Sequence, residues 1–224
     1  MAVIVMANQK GGVGKSTVAI LYANHLAELN KDVLIVETDA QKSIYNQREG
    51  DVRVWGEDAM NYRVEYFNLE TMEKAEEVIM SAKSLPATVI IDVPGNITDD
   101  YIAPLLVYAD FIVCPYQYEN KCLDSTGVFI QVCEKLKKKF PKETENQKMI
   151  YIPNSVDSRF GTKEELEYWK NIDNVFSEHG IVTPQIPYRA DLKRTNTYIN
   201  TPKQKEQTNQ CFEFIDHLVF GKHK

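Results

Sequence analysis

Short apolar runs alternate along this chain with longer segments in which apolar residues recur at helical spacing. The short runs are typical of strands buried on both faces of a sheet. Strands are predicted at Ala2–Ala7, Val33–Glu37, Val89–Asp92, Phe111–Cys114 and Met149–Pro153, with a weaker one at Arg63–Phe67. Helices are predicted at Ser16–Leu29, Thr71–Lys83, Asp99–Tyr108, Ser125–Phe140, Lys163–His179 and Lys203–Leu218. The polar segment Ser43–Asn61 is expected to be a mobile loop or a short irregular excursion.

This alternation predicts an α/β fold, a doubly wound and mostly parallel sheet with helices on both faces. Ligands of such folds bind at the carboxyl ends of the strands. A length of 224 residues is enough for one sizeable core, so we expect a single domain over residues 1–224.

Composition sets limits on the possible functions. The chain is 43% hydrophobic and 26% charged, which is ordinary for a globular protein. The net charge of −6 means that DNA binding would need a local basic face. The four cysteines, at positions 114, 122, 133 and 211, have no metal-binding spacing and suit a reducing cytoplasm. No apolar run is long enough to cross a membrane, so no stable membrane insertion is expected.

The segment Lys10-Gly-Gly-Val-Gly-Lys-Ser-Thr17 follows the first strand and precedes the first helix. Such a context is typical of a phosphate-binding loop, whose general pattern is G-x-x-x-x-G-K-[ST]. Here Gln9 occupies the first glycine position, and Lys10 is an additional lysine. We expect the loop amides and the helix N-terminus to bind phosphates. The predicted ligand-binding residues of the loop are Gly11, Gly12, Val13, Gly14, Lys15, Ser16 and Thr17.

Within the loop, Lys15 is placed to reach the β- and γ-phosphates and the Ser16 hydroxyl to bind Mg²⁺. Acids follow two of the other strands. Asp92 ends an apolar strand and is expected to bind Mg²⁺, through water. Asp39 is the first choice for positioning the attacking water, and Glu37 is expected to lie further from the reaction.

The base is assigned from the end of the strand Met149–Pro153. Asn154-Ser-Val-Asp157 follows this strand, with Ser where guanine-specific proteins have Lys. This favours adenine, with Asn154 at the edge of the base and Pro187 beside it. A second near-match to the guanine motif, Asn120-Lys-Cys-Leu-Asp124, has its acid one residue late and is interpreted as coincidence.

The loop, together with V-L-I-V-E-T-D-A-Q at 33–41 and V-I-I-D-V-P-G at 89–95, resembles the ParA/MinD family of deviant Walker A ATPases. The resemblance implies an ATP-dependent homodimer in which Lys10 reaches the partner's nucleotide, and a catalytic role for Asp39 in hydrolysis. The chain departs from the family pattern at Glu37, where the family has Asp, at Ala40, where it has Pro, and at Gly95, where a second Pro is common.

Because the chain begins almost at its first strand, it resembles the short plasmid-type partition proteins, without a helix-turn-helix extension. The resemblance then implies a slow Mg²⁺-dependent ATPase in the cytoplasm, associated with the nucleoid. ATP-bound dimers would bind DNA nonspecifically, and a ParB-like or other centromere-binding partner would stimulate hydrolysis and release.

Two basic runs could supply a DNA-binding face. The first run, residues 135–142, is interpreted as a solvated helix end that complements the helix dipole. The second run could equally be a solvated surface or bind phosphates, and the resemblance favours DNA. Its candidate residues are Arg189, Lys193, Arg194, Lys203 and Lys205.

Two alternative functions remain open. A MinD-like ATPase acting at the membrane surface would need an amphipathic C-terminal helix. Residues 211–220 are apolar enough, but Glu213 and Asp216 disfavour an anionic membrane, and Phe212, Ile215 and Val219 share one face as in a docked core helix. The other alternative is a metabolic or metal-cluster ATPase, and the lack of C-x-x-C argues against a bridging cluster.

Overall fold

The structure is a computed structural model, and it describes residues 1–95, 100–157, 159 and 161–221. Its strands are parallel and form one sheet in the order β3-β2-β4-β1-β5-β6-β7, with β8 pairing against β6. The strands are β1 Ala2–Met6, β2 Val33–Glu37, β3 Arg63–Tyr66, β4 Thr88–Asp92, β5 Phe111–Tyr116, β6 Lys148–Val156, β7 Ile181–Val182 and β8 Ile186–Pro187.

Helices connect the strands and cover both faces of the sheet. They are α1 Lys15–Glu28, α2 Ser43–Trp55, α3 Met72–Ser84, α4 Ala103–Tyr108, α5 Asn120–Lys139, α6 Lys163–Ser177 and α7 Pro202–Phe220. Short 3-10 helices span Glu57–Ala59, Asp100–Ile102 and Ala190–Lys193. The predicted doubly wound α/β fold is confirmed.

Two hydrophobic cores lie on opposite faces of the sheet, because alternate residues of each strand point to opposite sides. Val3 and Val5 of β1 belong to the core beneath α3, α4 and α5. Ile4 and Met6 belong to the core beneath α1, α2 and α7. Every residue of β1, β2 and β4 is buried, as expected for the centre of a parallel sheet.

The C-terminal helix α7 packs into the second of these cores. Phe212 and Ile215 are fully buried, and the partly buried Val219 packs against the same cluster. The Phe212 ring contacts the ring of Tyr22 in α1, with centroids 5.2 Å apart. The prediction of a docked core helix at this position is therefore confirmed. Within the described residues, no helix is long and apolar enough to cross a membrane.

The prediction of a loop at Ser43–Asn61 is wrong, because residues 43–55 form helix α2. The sequence of α2 is polar, and only Ile44 and Arg48 are buried, so no apolar stripe marked it as a helix. Its first turn is instead stabilised by a residue outside the helix, Glu37, as described below.

Several predicted boundaries also moved. Strand β6 continues through Asn154 to Val156 because β8 pairs with this extension, so Asn154 lies within a strand and not in a following loop. Helix α5 begins at Asn120, five residues before the predicted start at Ser125. The predicted start of a helix at Asp99 lies outside the described residues.

Candidate active site

The carboxyl ends of the central strands bring the predicted site residues together. Met6, at the end of β1, pairs with Asp92 at the end of the neighbouring strand β4. Asp92 in turn pairs with Glu37 at the end of β2, the neighbour of β4 on its other side. The phosphate loop follows Met6, and Asp39 follows Glu37 by two residues. One edge of the sheet therefore carries the loop and all three acids.

Asn8 anchors the start of the loop. Its fully buried side chain donates hydrogen bonds to the Pro115 carbonyl at 2.8 Å and to Thr126 Oγ1 at 3.0 Å, and its Oδ1 accepts one from the Lys10 amide at 3.2 Å. Sequence reasoning missed this residue. The available signal was an amide side chain directly after an apolar strand, where burial requires hydrogen-bond partners.

Two glycines of the loop adopt left-handed backbone conformations, with φ of +80° at Gly12 and +96° at Gly14. A Cβ at Gly14 would lie 2.3 Å from Asn154 Nδ2, so a side chain is excluded by both backbone strain and space. The Asn154 amide nitrogen itself donates to the Val13 carbonyl at 2.7 Å. Asn154 therefore holds the loop against β6, and its contact with a base stays a prediction.

Pro187 lies close to this anchor. It pairs with Val156 in the β6–β8 ladder, next to the pair formed by Asn154 and Ile186. Pro187 is half-buried at the same edge of the sheet, and its contact with a base likewise stays a prediction.

Lys15, Ser16 and Asp92 form the polar centre of the site. Ser16 Oγ donates to Asp92 Oδ2 at 2.6 Å, and Lys15 Nζ lies 3.4 Å from the Lys10 carbonyl. Burial lowers the pKa of the Lys15 ammonium, and the charges of Asp92 and Asp39 oppose this shift. Burial raises the pKa of Asp92 to about 7, against the opposing effects of the Ser16 hydrogen bond and the Lys15 charge.

The same residues fit a magnesium ion. Asp92 is buried, and its Oδ1 has no hydrogen-bond partner among the described residues. A buried carboxylate oxygen without a partner is costly, and a carboxylate beside a hydroxyl is an oxygen donor set of the kind Mg²⁺ prefers. Ser16 and Asp92 are therefore the residues that would hold the ion.

Glu37 has a structural role that its sequence position did not reveal. Its fully buried carboxylate accepts hydrogen bonds from Ser43 Oγ at 3.0 Å, the Ile44 amide at 3.0 Å and the Tyr45 amide at 2.8 Å. These are the first residues of α2, whose amides lack partners within the helix. Glu37 thus acts as a remote cap of α2.

Asp39 stands between Glu37 and α2 and is only half-buried. Its Oδ1 accepts a hydrogen bond from the Gln41 amide at 2.9 Å. The charge of Asp39 acts on the pKa values of both Lys15 and Asp92, which places the carboxylate near the phosphate loop. Its role towards water stays a prediction.

Lys10 is half-buried, next to the exposed Gly11 and Gly12. Its amide bonds to Asn8 and its carbonyl faces Lys15 Nζ, so its backbone position is fixed from both sides. The assignment of Lys10 to a partner's nucleotide stays a prediction.

The residues of the second basic run flank or belong to the 3-10 helix Ala190–Lys193 and the first turn of α7. Gln204, in the first turn of α7, donates to the carbonyls of Asp191 at 2.9 Å and Arg194 at 3.2 Å, which brings the two halves of the run together. Lys193 lies over the Tyr188 ring, 4.5 Å from its centroid. Lys205 is engaged by Glu28 at 2.9 Å.

The remaining members of the run differ in their surroundings. Arg194 and Lys203 are exposed, whereas Arg189 is half-buried and donates from Nη1 to the Tyr188 carbonyl at 3.0 Å. The surface is therefore basic, with one of its five predicted cations already held in an ion pair. Its binding to DNA stays a prediction.

Solved structures resemble this chain over nearly its whole length. A putative plasmid partition protein from Borrelia burgdorferi, solved bound to AMPPNP, has 19% identity and a TM-score of 0.71, with 96% of this chain and 98% of that chain covered. MinD from Aquifex aeolicus has 16% identity and a TM-score of 0.70, covering 100% and 99%. Apo McdA from Cyanothece has 17% identity and a TM-score of 0.72, covering 98% and 99%. At these identities the likeness shows the fold.

A stronger sequence match is short. The chromosome-partitioning ATPase Soj of Thermus thermophilus is 60% identical over 38 residues, which are 17% of this chain and 15% of that relative. A family model, the CobQ/CobB/MinD/ParA nucleotide binding domain, matches residues 4–200. This span includes the phosphate loop, Asp39, Asp92 and Asn154. The chain therefore belongs to the CobQ/CobB/MinD/ParA nucleotide-binding domain family.

Proposed function

We propose that this protein is a ParA-type partition ATPase, one domain over residues 1–224 that forms a homodimer when it binds ATP. The observation that carries the proposal is the additional lysine of the phosphate loop, Lys10. Lys10 has a backbone fixed by Asn8 and Lys15, and it adjoins the exposed Gly11 and Gly12. A cation at the exposed edge of a phosphate loop is suited to a nucleotide bound by a second chain.

Several groups of this chain would act on the nucleotide. The Lys15 side chain is buried, so little water would compete with phosphate oxygens for its ammonium group. Loop amides and the start of α1 add donors to the same oxygens. Bound Mg²⁺, held by Ser16 and Asp92, would neutralise part of the phosphate charge.

Asp39 would accept a hydrogen bond from the attacking water and orient it. Its partial exposure leaves room for a water molecule, and its link to the Gln41 amide uses one carboxylate oxygen. Turnover by one subunit is expected to be slow, because Lys10 of the partner and a ParB-like or other centromere-binding protein would both be needed for full activity.

Nonspecific binding to nucleoid DNA would occur through the basic surface around Arg189, Lys193, Arg194 and Lys203. The test is DNA binding measured with ATP, with ADP and without nucleotide, across a salt series on two unrelated sequences. The proposal requires ATP-dependent binding that weakens steeply with salt and does not distinguish the sequences. Equal binding in all three nucleotide states would exclude it.

The second candidate is a MinD-like ATPase at the membrane surface. The apolar face of α7 is occupied by the core through Phe212 and Ile215, which argues against α7 as the membrane-binding helix. Sedimentation with anionic vesicles decides between the two functions. ATP-dependent pelleting with vesicles and no binding to DNA would favour the membrane function.

A further inference from the structure

One segment, Thr195–Asn200, connects the 3-10 helix Ala190–Lys193 to α7 and is called the connecting segment here. The basic residues Lys193 and Arg194 precede it, and Lys203 follows it. It contains no helix or strand, yet Thr197 and Asn200 are buried. Most buried polar groups are hydrogen-bonded, so the partners of Thr197 and Asn200 show which elements hold this segment.

Helix α2 holds the first half of the connecting segment. Asp51 Oδ2 accepts hydrogen bonds from the Thr197 amide at 2.7 Å and from Thr197 Oγ1 at 2.8 Å. Gln47, one turn earlier, donates from Nε2 to the Thr195 carbonyl at 2.5 Å. Since residues four apart lie on the same side of a helix, one face of α2 is committed to this contact.

Helix α1 holds the second half. Asn24 donates from Nδ2 to the Asn196 carbonyl at 2.9 Å and to Asn200 Oδ1 at 3.1 Å. Asn200 in turn donates to the Leu21 carbonyl at 2.8 Å. Both Asn24 and Asn200 are buried, so these bonds are shielded from competition by water.

Both helices begin at the candidate nucleotide site. Helix α1 begins at Lys15 of the phosphate loop. Helix α2 begins at Ser43 and is capped by Glu37, which lies two residues before Asp39 in the sequence. A helix rises about 1.5 Å per residue, so each spans roughly 12–14 Å between the site and the connecting segment. A change in position at the start of either helix would be carried to the segment, because a helix moves as a stiff unit.

We propose that the connecting segment reports the nucleotide state to the basic surface, and that Asp51 and Asn24 are the positioning residues that fix it to α2 and α1. The route from the ATP site to the DNA-binding surface rests on the proposed partition function. Within the chain itself, occupancy of the phosphate loop changes the environment of residues 195–200.

The chain contains a natural reporter of this segment. The ring of Trp55, at the end of α2, contacts the ring of Tyr198 with centroids 5.8 Å apart. The sequence has two tryptophans, and the other, Trp169, stacks on Tyr118 at 4.7 Å. Trp169→Phe therefore gives a protein whose tryptophan emission comes from Trp55 alone.

The experiment titrates full-length Trp169→Phe protein with Mg²⁺ and AMPPNP while recording tryptophan emission, with nucleotide affinity measured separately by calorimetry. We expect a saturable change in emission at the same concentration as nucleotide binding. In the Asp51→Ala background, AMPPNP should still bind and most of the emission change should be lost. Glu49→Ala is the matched control, because Glu49 is an exposed acid of α2 whose ion pair is with Arg53 of the same helix.

An unchanged emission in the parent protein with AMPPNP bound would overturn the proposal, as would a full response in Asp51→Ala. If Asp51→Ala does not fold, Gln47→Ala decides by the same criterion, since it removes the two hydrogen bonds that the half-buried Gln47 side chain donates to the Thr195 carbonyl and hydroxyl. Asn24→Ala tests the α1 side in the same way.

DNA binding provides an independent measurement. In wild type we expect tighter binding with ATP than with ADP, within the roughly 5- to 150-fold range of typical coupling between sites. Asp51→Ala should reduce that ratio towards one, and Glu49→Ala should not. If Trp55 responds to AMPPNP through Asp51 while DNA binding does not depend on ATP, the partition function fails and the link within the protein stands.

Discussion

Lys10 and Lys15 belong to one loop, yet their surroundings differ. Lys15 is buried beside Asp92, whereas Lys10 is half-buried next to exposed glycines. Lys15→Ala is expected to abolish nucleotide binding, because it removes the cation that the phosphates would contact. Lys10→Ala is expected to keep binding and to lower hydrolysis on the order of 100-fold, comparable to the loss of one charge-stabilising donor.

Calorimetry with AMPPNP and phosphate-release assays measure the two effects separately. Sedimentation velocity with ATP shows whether Lys10→Ala still dimerises. Wild-type turnover in Lys10→Ala would refute the role assigned to this lysine.

Asp39 is predicted to act on water rather than on the nucleotide. Asp39→Ala should therefore bind ATP with nearly unchanged affinity and retain the dimer, while hydrolysis falls on the order of 100-fold or more. Single-turnover hydrolysis is the measurement. Glu37→Gln serves as a contrast, because it weakens the cap of α2 and should lower stability as well as rate. Normal hydrolysis by Asp39→Ala would exclude it as the water-positioning residue.

Asp92 should make the stability of the protein without nucleotide and Mg²⁺ depend on pH. Its pKa in the folded protein, about 7, lies above the ordinary value of 3.8, so the folded state binds a proton that the unfolded state has lost. Stability should therefore fall as pH rises from about 4 to 7, by at most about 1.4 kcal/mol per pH unit. Asp92→Asn should remove this component, and urea denaturation in EDTA without nucleotide measures it. An identical pH dependence in both proteins would contradict the assignment.

At the level of elements, the strands that are buried on both faces were predictable and α2 was not. Strand β1 is apolar throughout, and β2 and β4 are apolar runs that end in Glu37 and Asp92. Such runs predict strands buried on both faces of a sheet. Helix α2 depends on the Glu37 cap and on contacts to residues 195–198, which are distant in sequence. The two-residue strands β7 and β8 are too short for any periodicity, and they exist because β6 offers them a partner.

Two helices begin with the same capping arrangement in different surroundings. Thr162 caps α6 and Thr201 caps α7, each with the reciprocal side chain at the third helical position. Thr201→Ala should cost about 1 kcal/mol of unfolding free energy. Thr162→Ala should cost less, because residues 162–165 are exposed and can fray locally, whereas Gln204 of α7 is buried and bonded to Asp191 and Arg194. Equal losses in urea denaturation would contradict this difference.

On the scale of the whole molecule, the charge distribution matters more than the net charge of −6. Lys203 is exposed and Lys205 is held by Glu28, although both lie in the first turn of α7. Lys203→Ala should weaken DNA binding at low salt and reduce the slope of log affinity against log salt by about 0.9. Lys205→Ala should have a smaller effect, because the Lys205 ammonium is held by Glu28 and is less available to a phosphate. Fluorescence anisotropy across a salt series measures both, and equal effects would place the DNA elsewhere.

The candidate site shows the same division between what sequence does and does not reveal. Lys15, Ser16 and Asp92 were predictable because each occupies a fixed place in a strand–loop–helix pattern, and the structure brings Ser16 and Asp92 into contact. The role of Asn8 was not predictable, because its partners lie 107 and 118 residues away in the sequence. The cap by Glu37 was not predictable either, because its partners belong to a helix that the sequence did not predict. Local sequence patterns identify the residues that bind a ligand. The residues that position them are identified only by tertiary contacts.

The length of the Glu37 side chain has an evolutionary consequence. Its carboxylate reaches three donors at the start of α2 across the turn that carries Asp39. A chain with Asp at position 37, one methylene shorter, would reach the same donors only if α2 began closer to the end of β2. Residue 37 and the turn 38–42 are therefore expected to change together among relatives, and Glu37→Asp alone should be poorly tolerated until a compensating change in that turn restores the fit.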